Sequence, residues 1–167
     1  MNFAKADVLI ACNENGPSLK LDPIAQLDGR GVMAAIASNE SSLGLNCGPR
    51  HEPAYDVGGF LAQGKGQRLL LQQFGQAAAC SYGPWQMMFD NFTTEDPGVL
   101  ETQLTVCALE FVDFFNSYVI GVRHAVSLNA VSLADIGEVW NRGHIAPDPA
   151  YTAKLQLAYD AWVAGTI

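Results

Sequence analysis

Glu40 closes an apolar stretch, "VMAAIASNESS", and stands there as a bare carboxylate between Asn39 and Ser41. Burial disfavours the ionised form of such a group, and so does the negative end of a helix dipole. A glutamate placed this way keeps its proton toward neutral pH and can give it to a leaving oxygen. Two more carboxylates, Glu52 and Asp56, follow in "RHEPAYD" and are candidates for auxiliary roles. The later stretch "SYGPWQMM", Ser81–Met88, brings a hydroxyl in a turn, a glycine at Gly83 and the amide of Gln86. "VWNRG" adds the amide of Asn141. Hydroxyls and amides both donate and accept, so they suit a polar, uncharged ligand. Each piece alone has a plainer reading: a solvated helix end, an ordinary turn, an ordinary helix stop.

The elements that must hold these residues are mostly helical. "LDPIAQLDGRGVMAAIASNES" starts well for a helix, with Asp22 as cap and Pro23 in the first turn. Ile24, Leu27, Val32, Ala35 and Ile36 give it an apolar face. Gly29 and Gly31 weaken it, so the helix begins or restarts there, and either way Glu40 falls near its end. "LGLNCGPRHEPAYDVGG" reads as loop, and "GQRLLLQQFGQAAAC" as a second helix. "DPGVLETQLTVCALEFVDFFNSYVIGV" reads as one long helix capped by Asp96, apolar on most sides and therefore central. "SLADIGEVWNRG" is a shorter helix capped by Ser132 and stopped at Gly143, and a last helix is capped by Asp148 with Pro149 after it. Strand signal is weak. A small hairpin fits between Gly48 and Phe60, or around Ser81 to Gln86. The expected fold class is mainly α, with at most a small hairpin, in a single domain over 1–167.

Taken in order, Glu40-Ser41, then Ser81, Gly83 and Gln86 followed by Met87, then Trp140, Asn141 and Gly143, resemble the lysozyme-like superfamily. The likeness is to the soluble lytic transglycosylases of glycoside hydrolase family 23 and to goose-type lysozymes. It covers about Gly31 to Trp162, and "RHEPAYD" resembles an Arg-aromatic-Glu-Pro segment of some phage and bacterial members. Two departures stand out: Trp140 where the family usually has Tyr, and Pro84-Trp85 before Gln86. The resemblance implies a lysozyme-like helical domain acting on peptidoglycan glycan strands without metal or cofactor. It implies Glu40 as general acid and then base at the bond from N-acetylmuramic acid to N-acetylglucosamine. Ser81, Tyr82, Gly83, Gln86, Asn141 and Tyr151 would bind saccharide, with Tyr82, Trp85 and Tyr151 able to stack on sugar faces. One carboxyl is enough if the sugar's own 6-hydroxyl closes a 1,6-anhydro ring, and that lyase outcome is favoured. Hydrolysis needs a second carboxylate to activate water, which Glu52 or Asp56 would supply. The rival readings are a wall-glycan-binding module that does not cut, and a helical interaction protein without a saccharide site.

Bulk properties narrow the field. The chain has 167 residues, 49% of them hydrophobic and 16% charged, enough for one domain with a real core. Nine Lys and Arg face seventeen Asp and Glu, for a net charge of −8. That balance opposes non-specific nucleic-acid binding and attraction to anionic membranes. No apolar run is long enough to span a bilayer, and Val8–Cys12 is too short for the core of a signal peptide. The expectation is a monomer made in the cytoplasm that reaches the wall by holin release, virion delivery or a secretion machine. Cys12, Cys47, Cys80 and Cys107 form no CxxC pair and no Cys/His cluster, so they read as small apolar fillers. A Cys47–Cys80 disulfide stays open at this stage. His51, His124 and His144 lack ligand spacing and read as structural or surface residues.

Overall fold

A computed structural model describes residues 2–93, 96–121, 132–142 and 146–167. The described residues are mainly helical. The helices are α1 (Lys5–Asn15), α2 (Gly29–Ser41), α3 (Lys65–Phe74), α4 (Pro97–Thr102), α5 (Leu104–Phe114), α6 (Leu133–Arg142) and α7 (Pro149–Val163). Three short strands, β1 (Arg50–His51), β2 (Cys80–Tyr82) and β3 (Met87–Met88), form an antiparallel sheet in the order β1-β2-β3. Arg50 lies opposite Ser81, and Ser81 opposite Met88. Both stretches expected to offer a hairpin therefore contribute, joined through β2.

Helix α2 is the spine. Val32 through Ala37 are all buried, because α1 packs on one side and α7, its most extensive partner, on another. Its cap is Asp28 rather than Asp22: the Asp28 carboxylate accepts from Arg30 N at 2.9 Å. Pro23–Ala25 forms a separate 3-10 turn. Gly31 faces α7 at close range, and a Cβ there would sit 2.6 Å from the Trp162 ring. A small residue is what lets these two helices approach.

The long helix expected over 96–122 is interrupted. Asp96 caps α4, accepting from Gly98 N, but Gln103 is extended and breaks the run before α5. Beyond Phe114 the backbone widens into a π turn, Phe115–Val119. The α5 segment is central as expected, with Phe111 and Phe115 fully buried. Phe111 packs on Trp85 and on Trp140, each at 5.1 Å between ring centroids. Ser132 and Asp135 cap α6 reciprocally, each side chain accepting from the other's backbone N–H. Asp148 caps α7 by accepting from Tyr151 N. Gly143, expected to stop α6, lies outside the described residues, as do His124 and His144.

Helix α1 was not anticipated. It has no side-chain cap and buries only Val8, Ala11 and Cys12, so its sequence carries little helical pattern. The four cysteines are all buried thiols, with Cys47 donating to the Gly44 carbonyl, so no Cys47–Cys80 bridge forms. Among the described residues no helix is long and apolar enough to cross a membrane.

Candidate active site

Glu40 occupies the last turn of α2. The helix ends just beyond it because Ser42 turns left-handed (φ 55°), with the Ser42 N–H donating to Ser38 O and the Leu43 N–H to Ala37 O. Ser41 is buried and structural: its hydroxyl donates to Ala37 O and accepts from Gly44 N, folding the chain back. The Glu-Ser pair thus divides its labour, with Ser41 ending the helix and Glu40 left at its rim.

The Glu40 side chain is 11% exposed and opens on a cleft of about 550 Å³. Burial raises its pKa above the ordinary carboxylate range, against the pull of the Tyr151 hydroxyl, Arg50 and Trp140. The Tyr151 hydroxyl donates to Glu40 Oε1 at 2.7 Å. Arg50 Nη2 stands 3.7 Å from Glu40 Oε2. Its Nε pairs with Glu52 Oε1 at 2.7 Å. One guanidinium therefore spans two carboxylates, both on the cleft wall.

Ser81, Gln86 and Asn141 line the same cleft. The Ser81 hydroxyl lies 3.1 Å from Gln86 Oε1 and 3.3 Å from Glu52 Oε1, and it has one proton to give. Gln86 is itself in a left-handed conformation (φ 47°), and its amide donates to the Gly83 carbonyl at 2.9 Å. The Asn141 amide donates to the Asp148 carboxylate at 2.8 Å, which ties α6 to the start of α7. All three side chains already have protein partners, so they form a pre-arranged wall.

Other expected site residues are placed elsewhere. Tyr82 is 2% exposed and its hydroxyl donates to Ala77 O, so its ring belongs to the core and offers no sugar platform. Trp85 is equally buried, with its indole N–H on Met33 O, where it pins the hairpin to α2. Gly83 has φ 73°, and a Cβ there would meet Cys107 Sγ at 3.1 Å; its freedom serves packing on α5, not ligand approach. Asp56 does not line the cleft. Its carboxylate accepts from Val57 N and pairs with His51, each at 2.7 Å, which makes it a loop fastener. Tyr151 reaches Glu40 from behind the cleft lining and is a partner of the acid rather than a stacking face.

The aromatic wall of the cleft comes from residues not singled out by motif: Tyr55, Phe114 and Tyr118, joined by Trp140. Phe114 and Tyr118 stack on each other at 5.1 Å. Both sit in the aromatic run that reads as a buried helix, and the π turn that carries Tyr118 is invisible to a helical periodicity. Asp90 and Asn91 add further polar groups to the lining. Among the described residues, no group of His, Cys, Asp and Glu is arranged to hold a metal ion. Comparison with protein-family models, curated proteins and solved structures finds no match to this chain.

Proposed function

We propose that this chain is a lysozyme-like muramidase that cuts the β-1,4 bond between N-acetylmuramic acid and N-acetylglucosamine in peptidoglycan. The observation that carries the reading is the convergence on one cleft of Glu40, Ser81, Gln86 and Asn141, from three segments far apart in sequence. The acid among them is the most sheltered carboxylate of that wall, held by Tyr151 and shifted toward its protonated form.

Glu40 gives its proton to the glycosidic oxygen as the bond breaks. The amide and hydroxyl wall holds the N-acetyl and hydroxyl groups, and Trp140, Tyr118 and Tyr55 present apolar faces to sugar rings. Glu40, now ionised, takes the proton of the 6-hydroxyl as that oxygen closes on the anomeric carbon. The product is a 1,6-anhydro sugar, and no water is consumed. Hydrolysis is the second reading, favoured by one observation: Glu52 lines the same cleft as Glu40.

Mass spectrometry of soluble products from purified peptidoglycan, wild type beside Glu40→Gln, tests this. Anhydro-muropeptides from the wild type alone are expected, with a loss on the order of 10²- to 10⁴-fold in the variant. Products heavier by one water would establish hydrolysis and assign Glu52 the water. Glycan binding without products from the wild type would replace catalysis by a docking role.

A further inference from the structure

We propose that Arg50 is the residue through which the cleft recognises a carboxylate of its substrate, an inference that rests on the peptidoglycan reading above. Arg50 is fixed in place by β1, where it pairs in register with Ser81. Its side chain is about half exposed, at 53%, although its guanidinium stands beside two carboxylates. The contact to Glu52 through Nε is tight, and the one to Glu40 through Nη2 is loose at 3.7 Å. The Glu52 bond uses the inner edge of the fork. Nη2 is only loosely engaged, Arg50 lines the cleft, and planar carboxylates match a guanidinium with two parallel hydrogen bonds.

The surroundings make such a group necessary for an anionic ligand. Glu40, Glu52 and Asp90 share the cleft wall, and the cleft's second cation, Arg142, pairs with Asp148 at 3.0 Å. Of the two cations lining this acidic cleft, Arg50 is the one beside Glu40 and Glu52. A neutral polymer of N-acetylglucosamine would have no use for the guanidinium. A strand containing N-acetylmuramic acid carries carboxylates, either on the lactyl ether itself or on the peptide stem attached to it. When one of these docks, it takes the Nη2 that stands toward Glu40. Arg50 then acts as a specificity residue for the anionic strand, and Glu52 as the anchor that keeps it aimed.

Isothermal titration calorimetry tests this on short strands of two kinds, stem-free and stem-bearing, each before and after carbodiimide amidation of its carboxylates. The proteins are the wild type, Arg50→Gln and Arg50→Lys. Charge-assisted pairing predicts that amidation weakens wild-type binding by about ten- to a hundredfold. The ratio should fall to about one in Arg50→Gln and be partly kept in Arg50→Lys, which retains charge without the fork. Weakening of the stem-free strand assigns the lactyl carboxylate; weakening confined to the stem-bearing strand assigns the stem. A wild type that binds charged and amidated strands alike, or binds neither, overturns the proposal without need of any variant. So does a preference that survives in Arg50→Gln. Mass spectrometry of the same mixtures reports cutting separately, so loss of the muramidase reading and loss of the Arg50 assignment remain distinct results.

Discussion

Glu40 carries opposing influences whose balance is measurable. Burial pushes its pKa up, and the Tyr151 hydroxyl is the strongest group pulling it down. Tyr151→Phe removes that pull, so the high-pH limb of the activity profile, where the acid loses its proton, should move to higher pH. A limb that stays in place would show that Tyr151 only packs. The same burial links the acid to folding. A carboxyl whose pKa is raised by folding binds its proton more tightly in the native chain than in the unfolded one. Stability is then full below the unfolded value and declines as pH climbs through the folded value. Glu40→Gln carries no such penalty. Its melting temperature should match the wild type's near pH ~4 and exceed it near pH ~8. Thermal melts across pH read this directly, and a variant less stable at pH ~8 would contradict it.

At the scale of elements, the close approach of α2 and α7 sets the site, because it brings Tyr151 to Glu40. Gly31→Ala puts a methyl into the Trp162 and Tyr159 rings. Overpacking of this kind typically costs about 1–3 kcal/mol, read as a lower urea midpoint, and activity should fall with it as Tyr151 is displaced. Gly83→Ala meets a left-handed backbone and Cys107 together, with an expected loss of about 1–2 kcal/mol. Three caps are legible, whereas at α2 Asp22 reads as the cap that Asp28 provides. Asp96, Ser132 and Asp148 each announce a start, since capping is a local bond between near neighbours. Helix α1, lacking such a cap, gives no comparable notice. The break at Gln103 and the π turn depend on how α5 packs, which no residue pattern encodes. Glu40, Ser81, Gln86 and Asn141, singled out by type and order, do line one cleft. Tyr82 and Trp85 mislead because a turn motif does not say which of its side chains faces the core. Arg50 escapes notice as a shared partner because its link to Glu40 crosses from a loop strand to a helix end.

For the molecule as a whole, the acidic balance is the property that reaches furthest from the surface. On the peptidoglycan reading, a net charge of −8 opposes approach to a wall that is itself polyanionic. Screening should relieve this, so lysis of intact walls should quicken severalfold between ~20 and ~150 mM salt. Cutting of short soluble strands should respond much less. Equal salt dependence for both substrates would place the effect inside the cleft instead. The contact between Tyr151 and Glu40 has a further consequence, in time rather than space. The two residues are separated by 111 positions. At ~10 residues per second, a ribosome needs on the order of ten seconds to pass from one to the other. Throughout that interval the acid exists without the hydroxyl that orients it, and α2 lacks the helix it packs against most. The cleft is therefore completed late in synthesis, and a nascent chain halted before α7 should carry Glu40 yet leave peptidoglycan uncut.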